Sequence, residues 1–476
     1  MSKTRITPQQ FIMLVLLLLI CPILMIFAGV DYLLVLVIEI FQLCFVYCLL
    51  AYESNVFFLA FLVSFFVFLI SGDLVEQLTE KRYWLQFDTE VNNHAHICIL
   101  ISLIFIFIGY VFTKKPKEQT IDDVSVDRVY YLKHISKILY YSTYTILIFN
   151  TFNKIVFVSV SGYVAYYVSY NPILPNFIVQ IGDLAPIALC SFLVTMPSKK
   201  EAKLPLILFF IYAVSGLLVG QRGALVYNAT FIIAYLIYRN KTDKGLETWI
   251  GKKTILVLIL SIPAMIVFLY AYGFTRVGVE YSFNSVLDTI LSFFVNVGAS
   301  SKVIKEGYIY NGEIEGFKFY SLGDTLNYFK YSRLFTVFTG VVVPSAHSAE
   351  FALQSHSFDA FISYQFMRTN FLRGQGAGSS FIACLFADFG YLGVGIGSFF
   401  YGYIFKKISS INSNKWLTST MKLYAMLYLI KAPRGSYDGA IGAIINVTFI
   451  FTMTLIRLLA TIKKKSAVQG LTRLDY

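Results

Sequence analysis

Five arginines and one glycine-rich run are the residues of this chain whose types and spacing could do chemistry. Arg222, Arg276, Arg368, Arg373 and Arg434 each offer a planar fork of donors that binds two oxygens of a phosphate at once. Arg222 is flanked by Gly220 and Gly223, and Arg434 is followed by Gly435. Glycine lets the backbone approach a bound group and take positive φ, and a tight turn between helices needs it equally. Gly376, Gly378 and Ser379 follow Arg373 and run directly into an apolar stretch that carries Asp388. These residues make a candidate seat for an anion such as a diphosphate. The competing account is that the arginines snorkel to headgroups or pair with acids such as Glu280, Asp388 or Asp438.

Transfer of a group to a hydroxyl is helped by a positioned base, and His or a carboxylate can serve. The candidates are His347, Glu350, His356 and Asp359 in one long polar segment, and Asp388 within the apolar stretch. A lone loop histidine is commonly just a solvated one, and Asp388 could equally pair with an arginine for structure. The nine-residue interval between His347 and His356 matches no metal-ligand signature, so no metal site is expected. Glu39 and Asp183 stand alone in apolar runs, where a structural pairing is the simpler reading.

The elements that position these residues must be membrane helices. The chain has 476 residues, 57% of them hydrophobic and 14% charged, with a mean hydropathy of +0.68. Repeated apolar runs suit a hydrocarbon layer of about 30 Å, which gives an all-α polytopic membrane protein of about twelve spans. The runs are 11–28, 33–50, 57–69, 97–112, 138–158, 177–194, 204–218, 224–238, 255–272, 381–404, 416–430 and 441–459. The first has no small-residue cleavage site after it and reads as a span, not a signal peptide. The whole of 1–476 reads as one integral-membrane domain. Residues 274–380 form its long extracytoplasmic loop, between the ninth and tenth runs, and act as a lid. Two apolar patches interrupt that loop. Residues 286–297 have helical spacing suited to a membrane surface, and 334–343 are too short to span. Residues 120–136 read as a surface helix, and Tyr163, Tyr166, Tyr167 and Tyr170 as interface anchors.

A net charge of +12 could suggest nucleic acid, but the cations gather in short loops between runs, where they orient a membrane protein. With the N-terminus inside, the clusters at Lys114, Lys199, Arg239, Lys406 and Lys463 all fall on the cytoplasmic side. The long loop and the turns around Arg222 and Arg434 then fall outside, where cations are not needed for topology. The six cysteines (Cys21, Cys44, Cys48, Cys98, Cys190 and Cys384) lie in or beside apolar runs and form no CxxC, so neither a disulfide framework nor a zinc site is expected. The chain has no Walker motif and no dinucleotide fingerprint, so no nucleotide cofactor is expected. The energy of any transfer must already lie in the substrate.

The motif at 220–223, GQRG, and the run at 376–402, GAGSSFIACLFADFGYLGVGIGSFFYG, resemble those of the O-antigen polysaccharide polymerase (Wzy-type) family of bacterial envelope enzymes. The many spans and single long loop extend the resemblance over the whole chain. Where that family often places Glu after the Ala of the second motif, this chain has Cys384 after Ala383, with Asp388 one turn further on. The resemblance implies a glycosyltransferase of the cytoplasmic membrane with both termini inside. It would transfer a growing glycan from undecaprenyl diphosphate onto the non-reducing hydroxyl of another lipid-linked repeat unit. Donor, acceptor and membrane lipid are the implied partners, with a chain-length regulator as an optional one. The arginines would hold the leaving diphosphate. The rivals are a ligase of similar topology and a flippase. The second is disfavoured because the two halves show no matching broken helices and because so long a loop suits a lidded enzyme.

Overall fold

The computed structural model describes residues 18, 20–79, 81, 86–114, 126–243, 247–276 and 278–472. Residues 11–17 and 19 of the first expected span fall outside them, as do Glu80, Arg82, Trp84, Lys115, Lys117 and Lys244. The described residues contain helices and no strand. Among the described residues nine helices are long and apolar enough to cross a membrane, or ten if the bent pair Gly439–Ile445 and Val447–Ser466 is one span. The chain is an all-α, multi-pass membrane protein.

The difference from twelve has local causes. Trp416–Leu429 is a helix of only 14 residues, roughly 21 Å at the α-helical rise and short of a hydrocarbon layer. Arg222–Thr242 carries Arg222, Arg239 and Lys241 and does not reach spanning character. In the other direction, the run 57–69 is the centre of a longer stretch, Tyr52–Leu78. The patch 286–297 is followed directly by the helix Ala299–Ile309, and Val286–Ile309 together have spanning length and composition. Part of the expected loop is therefore helix of membrane type. The second patch forms Arg333–Thr339 and then a left-handed Gly340, and leaves Val337, Phe338 and Val342 uncovered.

The chain divides into two compact units. The first comprises Met1–Lys114, Ala234–Ser409 and Ile430–Gly439. Its strongest pairing sets Phe381–Ile408 against Thr89–Phe112. Small residues make the approach possible, as is usual where lipid supplies no hydrophobic drive between helices. A Cβ on Gly402 would strike the carbonyl of Ile106, and one on Gly109 the carbonyl of Phe399. Ser398 Oγ donates to Ser102 Oγ at 2.9 Å. An aromatic core follows, with Phe61 against Phe405 at 4.6 Å and Phe381 stacked on Tyr401 at 4.9 Å. Gly390 interrupts Phe381–Ile408 with φ 59° and ψ −153°, a conformation that side chains other than glycine rarely tolerate. Tyr52–Leu78 is interrupted too, by a π turn at Phe66–Ile70.

Below that turn lies a buried ion cluster. Lys305 Nζ stands 2.9 Å from Asp73 Oδ2, and Lys302 Nζ 3.0 Å from Glu76 Oε1. Ser301 Oγ and His96 Nε2 complete Asp73 at 3.1 and 3.2 Å. The lysines reach these acids because Gly72 and Gly298 meet backbone to backbone. Charges inside a membrane protein are tolerated when they are paired in this way.

The second unit comprises Lys115–Ile233, Ser410–Leu429 and Ala440–Tyr476. The long helix Val126–Ser161 organises it, packing on Ala185–Val194, Lys199–Leu218 and Val447–Thr472. Tyr140 donates to the carbonyl of Pro205 at 3.0 Å, and Trp416 Nε1 to that of Ser191 at 3.1 Å. A capping box of Ser198 and Glu201 starts Lys199–Leu218.

Candidate functional site

Two aspartates grip one short stretch of the polar segment. Phe319 is left-handed, with φ 53°, and turns the chain so that the next amides point at the helix Phe381–Ile408. The amides of Tyr320 and Ser321 donate to the two oxygens of Asp388 at 2.9 and 2.6 Å. Three residues on, the amides of Asp324 and Thr325 donate to the two oxygens of Asp438 at 3.2 and 2.7 Å. Asp438 thereby satisfies donors at the start of the helix Gly323–Tyr331, where a negative charge also complements the helix dipole. Burial pushes the Asp438 carboxyl up, and the Thr325 amide opposes this. Tyr401 binds the segment carrying Asp438 to the same long helix, donating to the carbonyl of Tyr437 at 2.6 Å.

Arg434 lies on that segment, at the end of the 3₁₀ turn Ala432–Arg434 whose Ala432 and Pro433 are buried. Its guanidinium is exposed and stands 5.8 Å from the ring of Phe68 in the π turn. Among the described residues no carboxylate comes within ion-pair distance of it. Its Nε is 3.5 Å from where a Cβ on Gly378 would sit, and Gly378 has φ +83°. Gly378 precedes the N-terminus of Phe381–Ile408, which no side chain caps. The structure thus gathers Arg434, Gly378 and an uncapped helix start, each of which favours negative charge. Ser379 is buried, its Oγ 3.4 Å from Cys384 Sγ, and the Ser380 Oγ is buried with no hydrogen-bond partner.

Asp359 faces this place from the first turn of Phe358–Phe366, a helix capped by Ser357. Ser363 Oγ donates to it at 3.4 Å and in turn accepts the amide of Ala377 at 3.0 Å. The backbone of Gly378 also favours its charged form, and Gly376 leaves room beside its Oδ1. Water reaches the side chain although protein crowds it closely enough for desolvation to push its carboxyl up. These two facts together describe a group on the wall of a recess. Arg434 and His347 are the charged or titratable groups that pull its carboxyl back down. His347 packs against Phe371, with rings 5.1 Å apart, and its Nδ1 is buried without a hydrogen bond.

The remaining candidates are placed otherwise. The Nδ1 of His356 bonds the carbonyl of Lys318 at 2.5 Å, and its amide donates to Asn327 Oδ1 at 2.9 Å. Glu350 is exposed in the first turn of Ala349–Gln354. Arg373 is exposed at the end of Arg368–Leu372, and Arg368 lies 4.7 Å from the centre of the Tyr364 ring. Arg276 follows the C-terminus of Lys252–Thr275. Arg222 opens its helix in the second unit, after a left-handed Gly220 whose missing Cβ makes room for Tyr163. A cavity of about 290 Å³ in the second unit, with Arg128, Lys415 and Arg457 on its walls, is lined by none of these candidates.

Sequence reasoning passed over Asp73, Glu76, Lys302 and Lys305. The two lysines stand three residues apart just beyond an apolar patch, and that spacing on a helix was the available signal. No curated protein and no solved structure matches the chain. The family model for the O-antigen polysaccharide polymerase Wzy matches residues 10–466. With nearly its whole length matched, this multi-pass membrane protein belongs to the Wzy family of polymerases, which join lipid-linked O-antigen repeat units.

Proposed function

We propose that this polymerase draws its glycan from undecaprenyl diphosphate at the outer face of the cytoplasmic membrane, with both of its termini in the cytoplasm. The observation that carries the reading is Arg434. It is an exposed guanidinium with no carboxylate in ion-pair range among the described residues, beside a left-handed glycine and an uncapped helix start. Such a group is matched to phosphate oxygens. Arg373, Gly376, Gly378 and Ser379 share the same stretch of chain and belong to the same diphosphate and sugar seat. Arg276 sits at a helix end of the same unit and is assigned to the diphosphate at headgroup depth; Arg222, at a helix start of the second unit, is assigned to phosphate oxygens there.

In the reaction, a hydroxyl of the acceptor unit attacks the anomeric carbon of the donor glycan. The bond from that carbon to the diphosphate breaks, and its electron pair leaves with the diphosphate. Donors fixed in advance around the growing negative charge lower the barrier most. Asp388 and Asp438 act by position: their oxygens are taken up by backbone amides, so they hold the walls of the seat. Arg434→Ala tests the reading. The variant should reach the membrane at normal level and melt normally, and long glycan should disappear from the cell surface. Full-length chains made by this variant would remove the diphosphate seat.

A further inference from the structure

Of the candidate bases read from the sequence, Asp359 is the one that stands exposed beside the glycine-rich loop and Arg434. Asp388 has both oxygens engaged by amides. His356 has its Nδ1 committed to the carbonyl of Lys318. Glu350 lies on an exposed helix start. Asp359 is reached by water, is held in place by Ser363, and has Arg434 and His347 as its charged or titratable neighbours. We propose that Asp359 is the general base of the polymerase, accepting the proton of the acceptor hydroxyl as that oxygen attacks the anomeric carbon.

The proposal rests on the reading of Arg434 as the holder of the diphosphate. One edge of the recess then takes the leaving group and the other takes the proton. The acceptor O–H bond breaks toward Asp359 and the new C–O bond forms. The old C–O bond gives its electron pair to the diphosphate beside Arg434. The product leaves with one more glycosidic bond, and the proton on Asp359 returns to water. Ser363 positions the base: it donates to Asp359 while it accepts the amide of Ala377 from the glycine-rich loop. A carboxylate in a crowded recess is a stronger base than one in water, which agrees with the upward push on Asp359.

The crowding also leaves a signature in stability. A carboxyl whose value is raised on folding makes the ionised native state less stable than it would be with a neutral group. That penalty is absent at low pH and grows as pH rises through the raised value. Asp359→Asn keeps an acceptor for Ser363 and removes the charge. It should therefore melt at or above the wild type at pH 7.5 and lose that advantage in acid.

The test uses the full-length protein in lipid nanodiscs, with lipid-linked repeat unit as donor and acceptor. Asp359→Asn should lower kcat for elongation on the order of 100-fold with KM for the donor little changed. Asp359→Glu should recover part of the rate. In the wild type, kcat/KM should fall on the acid side, through a value above the ordinary carboxylate range. Elongation by Asp359→Asn within about threefold of wild type, against the 10²–10⁴ expected for losing a base, overturns the proposal. So does a variant that loses rate only because it melts well below the wild type, since that marks a structural carboxylate. Arg434→Ala, run alongside, should raise the donor KM. If it elongates normally, the diphosphate reading fails, whatever Asp359→Asn does.

Discussion

In the cluster around Asp73, Lys305, Ser301 and His96 converge on one carboxylate, and Lys302 closes on Glu76. In the recess around Asp359 the same kinds of group stand near one another without closing. Arg434 has no ion pair among the described residues, and His347 Nδ1 and Ser380 Oγ are buried without partners. Both regions belong to the first unit and both hold charge inside a membrane protein. In the first, the protein itself supplies the partners of each carboxylate. The second leaves polar groups that something else must satisfy, because buried donors and acceptors in native proteins are otherwise paired. The contrast separates charge kept for structure from charge kept for a ligand.

The largest effect should come from breaking the finished cluster. Lys305→Ala takes the lysine from a buried ion pair and leaves Asp73 with only Ser301 and His96, a loss of about 3–5 kcal/mol. We expect little folded protein after extraction, judged by gel filtration, and recovery when Asp73→Asn is added. If Lys305→Ala melts like the wild type, the cluster is not structural and the comparison collapses. A middling effect should come from Gly378→Ala in the open recess. A side chain at φ +83° costs about 1–2 kcal/mol and crowds Arg434, so elongation should fall more steeply than melting temperature. A parallel decline of the two would argue that the glycine serves only the turn. The smallest should come from Asp388→Asn, which weakens a charged acceptor for two amides by about 1–2 kcal/mol. Melting should drop by a few degrees, and activity should survive with a broadened chain-length distribution. Complete loss of elongation by a variant that still folds would return Asp388 to the chemistry.

Hydropathy alone made the membrane class and most spans legible, and the glycines of 390–402 are of the type that lets membrane helices approach closely. Gly402 and Gly395 do meet Thr89–Phe112. The polar end of Tyr52–Leu78 and the second half of Val286–Ile309 were hidden because Asp73, Glu76, Lys302 and Lys305 look like loop residues until they are seen to neutralise one another. The grips on 320–325 could not be read either, since Asp388 lies 68 residues from Tyr320 and Asp438 lies 114 from Asp324. Arg434 and Gly378 were singled out by type, but only the fold puts them side by side. Asp359 was visible as one acid of a polar segment, and nothing in its neighbours along the chain distinguishes a recess from open water.

The stretch 320–325 is held at one end by the helix that begins at the glycine-rich loop and at the other by the turn that bears Arg434. Those six residues act as a ruler between two walls. Shortening or lengthening the ruler by a single residue would leave one of the two carboxylates without its pair of amides.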